Sequence, residues 1–468
     1  YLLIMSLLFL FVVNLNPYCQ TRALDSYKSY PLLVEAFLNG KTSIDIEIPE
    51  YIKNMDNPYD NLSRRAAATE VGKDPMTLWD MAYYDGQIYV YFGAVPAIMI
   101  YLPFYVIFGT HIPDWVAMLI FSILTIGAIL FFVYQLCKKY FKKTSMLTYF
   151  LVSTLLIFSC SLIDLAKVPV IYNFPIISAL FFSFLGLGLW IMASNHPKVK
   201  KIPLALGSLC IALTAGCRPQ FLISMFFAFF IFYPNYRKNK KLIFSLKTFL
   251  AFFLPFVIIG LFAMYYNYIR FDSVFDFGAN YNLTTNDMTH RGFSFDRFFS
   301  GVYYYLFLTF YVNPIFLFYQ YQVMNLNYFG MIIIEPTLGG LFFLRPIVLL
   351  GFFLYKWKDN FKQKELYWWG YAAIFFAIVI MLLDIQMAGL LPRYLNDFTW
   401  LFLLPVVFIL LMNDNQSDGK NKRSLQKIIF SLLIFTFIFE FFNMFKYDVD
   451  LKIGNAKLYN YLHYLFHS

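Results

Sequence analysis

The chain alternates long apolar runs with short basic clusters. Runs of about 15–25 residues recur along it, the length a helix needs to cross a bilayer. One of them, WVAMLIFSILTIGAILFFVYQL over 115–136, carries no charge. Such runs predict membrane-crossing helices, because backbone polar groups in lipid must be satisfied within each helix. A β-barrel is excluded, since barrel strands alternate apolar and polar positions.

The basic clusters order these runs. They are KKYFKK (138–143), KVKK (198–201), YRKNKK (236–241), KWKDNFKQK (356–364) and GKNKRSLQK (419–427). Lys and Arg favour the cytoplasmic side. If all five clusters lie there, an even number of crossings separates each from the next. The intervals hold pairs of candidate spans at 144–162 with 169–193, 202–217 with 220–234, 243–267 with 332–355, and 366–386 with 398–412. A last span over 428–446 leaves the C-terminal residues 447–468 outside. The same parity makes AVPAIMIYLPFYVIFG (94–109) and GVYYYLFLTFYVNPIFLFYQ (301–320) interfacial or re-entrant rather than crossing. Both are rich in tyrosine, which favours the headgroup region.

The expected fold is therefore an all-α polytopic membrane protein with about 11 crossings, in a range of about 10–13. Residues 1–16 form the first crossing. Their apolar character also fits a signal-peptide core, but no small-residue cleavage site follows. The chain starts at Tyr1, so further residues are expected before it. Residues 17–113 form a large outer-face loop with interfacial helices. Spans two to seven occupy 114–267, a second outer loop 268–331, and spans eight to eleven 332–446. The stretch NDNQSDGKNKRS (413–424) reads as a flexible cytoplasmic linker.

Composition agrees with a membrane protein. The 468 residues are 60% hydrophobic and 14% charged, against about 45–50% and 25% in soluble domains. The formal charge of +10 does not indicate nucleic acid, because the basic residues sit between spans. Cys19, Cys137, Cys160, Cys210 and Cys217 lack metal-ligand spacing and read as small apolar residues. His111 and His290 stand alone. No cofactor is required by these features, and a divalent metal has no support.

Charged residues near the outer ends of spans carry the candidate chemistry, because charge at membrane depth is costly and tends to mark sites. Asp25 follows the first span. Asp164 and Lys167 lie in LIDLAKVP, Arg218 in AGCRPQF, and Arg270 with Asp272 in YNYIRFDSVFDFG. Glu335 opens the span 332–355, Asp384 closes 366–386, and LPRYLND supplies Arg393 and Asp397. Arg393 and Asp397 are four residues apart, a spacing that allows them to pair. Arg345 and Glu440 lie deeper. The first loop is acidic, with Asp25, Glu35, Asp80 and Asp85 among its carboxylates. Arginines beside an outer cavity suit a phosphate, and next to a bilayer the natural phosphate is on a lipid. Carboxylates in the same region supply a base for a hydroxyl. Together they point to glycosyl transfer from a polyprenyl-phosphate sugar. Arg218, Arg393, Arg270 and Lys167 are the candidate phosphate-binding residues. Trp79, Tyr84, Tyr27, Glu35, Tyr394 and Asp397 are candidates for the sugar or acceptor.

LDSYKSYPLLVEAFLNGK (24–41) carries an acid, an aromatic and a small helix ending in glycine, at Asp25, Tyr27 and Gly40. With the later YFGAVPAIMIYLPFYVIFG, this pattern resembles the GT-C membrane glycosyltransferases, which include protein O-mannosyltransferases and bacterial lipid A aminoarabinose transferases. The family often has Asp-Glu where this chain has Asp25-Ser26. NPYD (57–60), WDMAYYDG (79–86), CRPQF (217–221) and RYLNDF (393–398) resemble a bacterial branch of it. The resemblance implies a GT-C-like fold and a multi-pass protein of the cell envelope with its site on the outer face. It also implies inverting transfer with Asp25 as general base, ahead of Asp80 and Asp85. The acceptor would be a glycan, lipid or protein. The Phe, Ile, Lys and Asn bias fits an AT-rich bacterium, so the membrane is expected to be a bacterial plasma membrane. Competing readings are a transporter or flippase of lipid-linked glycans, a polysaccharide polymerase or ligase, and a non-catalytic scaffold.

Overall fold

The computed structural model describes residues 1–16, 29–196, 198–239, 245–284, 287–290, 292–314, 318–324, 333–361, 363–387, 389–415, 422–446 and 451–467. It is mostly helical. Among the described residues, five helices are long and apolar enough to cross a membrane: Asp114–Tyr140, Asn173–Ser194, Leu246–Phe271, Lys364–Ile385 and Pro392–Asn415.

The principal helices are α1 (Leu2–Asn14), α2 (Ser29–Leu38), α3 (Asp114–Tyr140), α4 (Met146–Ser159), α5 (Asn173–Ser194), α6 (Lys201–Leu213), α7 (Leu246–Phe271), α8 (Lys364–Ile385), α9 (Leu395–Asn415), α10 (Lys422–Asn443) and α11 (Ala456–His467). Local chemistry sets several starts. Ser145 caps α4 by accepting from Thr148 N at 3.2 Å, and Ser245 caps α7 the same way from Thr248 N at 3.3 Å. Pro113 precedes α3, Asp114 sits in its first turn and Lys138 and Lys139 in its last, matching the helix dipole at both ends.

The bundle grades from a dry centre to an apolar rim. α5 packs between α3 and α6, while α9 packs against α8 and α4. The apolar window of α9 is wholly buried, around Trp400 and beside Trp369. The window of α7 is only 6% buried, with Leu250, Leu254, Val257, Ile258, Leu261 and Phe262 facing outward. An apolar face of that length is stable in lipid and not in water.

The helices share two ends. At one, loops carrying the basic clusters meet: Lys143 N donates to Asn415 Oδ1 at 2.7 Å, Ser145 N to Asp414 Oδ2 at 2.6 Å, and Lys139 Nζ to Ser194 Oγ at 2.6 Å. The other end lies about 30 Å away, the length of a 21-residue helix such as α9. There α4 and α10 finish and α5 and α9 begin.

The structure differs from the expectation in three ways. First, it is not purely helical. Strand β1 (Leu78–Tyr84) turns at Asp85-Gly86 into β2 (Gln87–Tyr89), and β3 (Asn282–Leu283) pairs antiparallel with the other edge of β1. The two large loops thus fold as one unit. Two smaller pairs follow, β4 (Tyr311–Val312) with β5 (Tyr319–Gln320), and β6 (Ile333–Ile334) parallel to β7 (Gly389–Leu390). Second, the expected span 332–355 is not one helix. It breaks into β6, Leu341–Leu344, Pro346–Val348, Leu349–Phe352 and Leu354–Asn360. Gly340 packs against the backbone of 306–308, Pro346 cannot donate to a ladder, and Arg345 leaves the helix to reach Glu440. Third, the expected crossing 220–234 opens as a 3-10 turn, Pro219–Phe226, before turning α-helical at Phe227.

The segment 97–108 is a π turn, Ala97–Tyr101, running into Leu102–Phe108. Its 12 residues span about 18 Å, short of a hydrocarbon core of about 30 Å. Gly109, at φ 68°, ends it in the left-handed conformation that favours glycine.

Candidate functional site

A cavity of about 430 Å³ opens at the end of the bundle away from the basic loops. Its wall is built from the helix Leu162–Lys167, the start of α5, residues 335–338, Leu344 and Arg345, the start of α9 and the end of α10. That volume lies in the range of small-molecule sites. Asp164, Lys167, Tyr172, Glu335, Arg345, Arg393, Asn396, Asn443 and Lys446 give it its chemistry.

One side is a pinned polar network. Lys167 Nζ lies 2.9 Å from Asp164 Oδ1 and donates to the carbonyls of Asn443 at 2.7 Å and Lys446 at 2.5 Å. It thereby fastens the C-terminal end of α10. Asn443 Nδ2 donates to both Asp164 oxygens, at 3.1 and 3.0 Å. Deeper, Arg345 donates to Glu440 Oε1 from Nε at 3.1 Å and to Ser161 Oγ from Nη2 at 2.8 Å. Arg345 and Glu440 are both fully enclosed, so each charge is compensated where it is desolvated.

The other side is more open. Arg393 Nη1 donates to Glu335 Oε1 at 2.6 Å, and its guanidinium lies 4.1 Å from the centre of the Tyr172 ring. The Arg393 side chain is 19% exposed and that of Glu335 36%. Asp164 is 38% exposed. Two accessible carboxylates and an accessible guanidinium therefore share one cavity. Lys446 stands over the Tyr321 ring at 4.9 Å on the same wall.

Arg393 does not pair with Asp397. Pro392–Tyr394 is a 3-10 turn ahead of α9, so the helical four-residue spacing does not apply. Asp397 instead takes a bidentate pair from Arg218, with Nε to Oδ1 at 2.6 Å and Nη2 to Oδ2. Gln220 Nε2 reaches Asp397 and Asp384, each at 3.3 Å. Tyr394 lies between the two arginines, 5.0 Å from Arg218 and 5.7 Å from Arg393. It is the link between this buried cluster and the cavity.

Other candidates sit elsewhere. Arg270 holds α7 to the hairpin: Nη1 donates to Val90 O at 2.9 Å, Nε to Tyr266 O at 3.0 Å and Nη2 to Asn267 Oδ1 at 3.0 Å. Tyr84 packs in an aromatic cluster with Tyr281 at 4.9 Å and Phe271 at 5.8 Å, and burial raises its phenol above the ordinary value. Asp85 is exposed at φ 45° beside Gly86 at φ 73°, the backbone of a two-residue hairpin turn. Glu35 faces His111 Nε2 at 2.7 Å on α2. Trp79 and Asp80 belong to β1, but their side chains are not among the described ones. Asp25 and Tyr27 lie outside the described residues.

The loop unit has its own buried cation. Arg64 is fully enclosed and donates to four carbonyls: Met76 O from Nε at 3.2 Å, Pro58 O and Tyr59 O from Nη1 at 2.6 and 3.0 Å, and Thr284 O from Nη2. Desolvation lowers its pKa from the usual arginine value. It ties the first loop to the second and does not face the cavity.

Sequence reasoning missed Tyr172, Tyr321, Asn396, Asn443 and Lys446 as cavity residues. A signal existed for two of them, since Glu440, Asn443 and Lys446 recur every three residues in an otherwise apolar segment. Among the described residues, no cluster of three or more His, Cys, Asp or Glu side chains is placed to hold a metal ion. No family model, curated protein or solved structure matches the chain.

Proposed function

We propose that this chain is an integral membrane glycosyltransferase that moves a sugar from a polyprenyl-phosphate donor to an acceptor hydroxyl on the outer face of the membrane. The observation that carries the reading is the cavity itself. It sets Arg393 beside the accessible carboxylates Asp164 and Glu335, at the end of the bundle opposite the basic loops. Basic loops favour the cytoplasm, which supports an outer-face position for the cavity. A guanidinium on an aromatic ring suits a phosphate, and carboxylates suit hydroxyls.

In this reading the acceptor oxygen attacks the anomeric carbon as its proton passes to a carboxylate base. The bond from that carbon to the phosphate oxygen breaks, and the lipid phosphate leaves as an anion facing Arg393. Configuration inverts in this single displacement. The base proposed from sequence is Asp25. The described elements before and after the segment that holds it lie near the cavity. α1, which precedes it, packs against the helix Leu162–Lys167. Tyr30, which follows it, packs against Phe174 with ring centres 5.9 Å apart, next to the cavity residue Asn173.

The test uses purified protein in detergent, radiolabelled polyprenyl-phosphate hexoses and an envelope acceptor fraction. Wild type is expected to release lipid phosphate. Asp25→Asn is expected to lose about 100-fold or more of that rate, the scale of a general base, and Arg393→Ala to lose donor binding. Full activity in Asp25→Asn refutes that base, and full donor binding in Arg393→Ala refutes the phosphate site.

A further inference from the structure

Arg393 and Glu335 meet on the open side of the cavity, Nη1 to Oε1 at 2.6 Å. Both side chains keep accessible surface, 19% and 36%. The pair is not needed to fasten its two elements. β6 and β7 are already joined by backbone pairing, Ile333 with Gly389 and Ile334 with Leu390, and Glu335 N donates to Leu390 O at 3.0 Å. Glu335 O also accepts from the Tyr304 hydroxyl at 3.0 Å. The backbone of Glu335 is thus held at both polar groups, while its carboxylate reaches the one guanidinium that lies over Tyr172 at 4.1 Å. A partly exposed ion pair adds little stability, so the placement of this carboxylate points to binding rather than to folding.

We infer that Glu335 sets the charge of the ligand the cavity accepts, favouring a singly charged phosphodiester over a doubly charged phosphomonoester. This rests on the proposed reading of the cavity as a donor site. A phosphate drawn to Arg393 is repelled by the carboxylate beside it. The cation and anion of the pair nearly cancel, so a second negative charge on the ligand gains little attraction while its desolvation cost rises. The buried cations of the wall do not offset this, because Lys167 is matched by Asp164 at 2.9 Å and Arg345 by Glu440 at 3.0 Å. Lys446, over the Tyr321 ring, adds attraction for either ligand. The proposed reaction turns one class into the other. Breaking the bond from the anomeric carbon to the phosphate oxygen converts the diester donor into a monoester lipid. Glu335 therefore favours retention of the donor and release of the spent carrier.

The experiment compares wild type, Glu335→Gln and Arg393→Ala for binding of two probes in detergent at about pH 8: polyprenyl phosphate, which carries about two negative charges there, and its methyl ester, which carries one. Gln keeps the length of Glu and an oxygen that accepts from Arg393, so the variant is expected to fold, as thermal unfolding checks. Wild type is expected to bind the methyl ester more tightly. Glu335→Gln is expected to strengthen the methyl ester about twofold and polyprenyl phosphate about fourfold, because Coulomb energy doubles with the ligand's charge and so squares the factor. Arg393→Ala is expected to weaken both. Unchanged or weaker binding of polyprenyl phosphate in folded Glu335→Gln, or an equal gain for both lipids, overturns the role of Glu335 and leaves the donor site standing. A wild type that does not prefer the methyl ester overturns that role too, whatever the stability of the variant. Failure of wild type to bind either lipid overturns the donor reading and this inference with it.

Discussion

The buried pair of Arg218 and Asp397 allows a quantitative test of what the charges in this bundle do. Asp397 is wholly enclosed and Arg218 is 8% exposed. Arg218→Met removes the cation and leaves the carboxylate with Gln220 Nε2 at 3.3 Å. Breaking a buried pair from one side costs about 3–5 kcal/mol, because an uncompensated charge stays desolvated. Replacing both partners with apolar residues is often neutral or stabilising. Arg218→Met and Asp397→Leu are therefore each expected to lose about 3–5 kcal/mol, and the double variant to fall within about 1 kcal/mol of wild type. Reversible SDS unfolding in mixed micelles measures all four proteins. Additive losses in the double variant would refute the reasoning, since they would mean that the two side chains do not share one interaction. The same double variant also separates packing from binding. Donor affinity retained in the folded double variant makes Arg218 and Asp397 a bundle clamp. Affinity lost there returns them to the phosphate and sugar roles their sequence positions suggested.

Two further outcomes concern the loop unit. Asp287 accepts from Asn57 Nδ2 at 3.0 Å, Thr289 N at 2.9 Å and Thr289 Oγ1 at 2.5 Å, with His290 Nδ1 at 2.9 Å. Burial alone would raise its carboxyl, but these donors outweigh burial and hold it below the ordinary value. With the folded value below the unfolded one, its contribution is complete above the ordinary carboxylate range and is lost as pH falls through the folded value. Hydrogen exchange at β3 should therefore quicken as pH drops below about 4, after correction for the intrinsic rate, and Asp287→Asn should flatten that dependence. A methyl group on Gly93 would overlap the carbonyl of Gly216 and lie 2.9 Å from Cys217 N. Gly93→Ala should thus cost about 1–3 kcal/mol by forcing the hairpin off the bundle. Gly260→Ala on α7, which meets open space, should be neutral or stabilising, and SDS unfolding in mixed micelles measures both variants.

The sequence was most informative where one physical term dominated. Apolar runs located α3, α5, α7, α8 and α9, because a long helix in lipid must be apolar throughout. The same signal misread 332–355, since hydropathy reports transfer into lipid and not whether the backbone stays continuous. Gly339-Gly340 and Arg345-Pro346 held that information, as Asp85-Gly86 held the hairpin turn. Cavity charges were legible because their cost at depth singles them out: Asp164, Lys167, Glu335 and Arg393 all line it. Their partners were not. Arg218 and Asp397 are 179 residues apart, and local spacing favoured Arg393 for the same carboxylate. Asn396 gave no signal as a cavity residue, because a neutral amide at a helix start has a bland explanation. Sorting these groups needs accessibility and competing acceptors together. Arg218, Arg270, Lys167 and Arg345 are buried, with acceptors that fasten one element to another. Arg393, Asp164 and Glu335 keep accessible surface toward a common space. A charge costs the bundle stability in either case, and the second group already has surface open to a ligand.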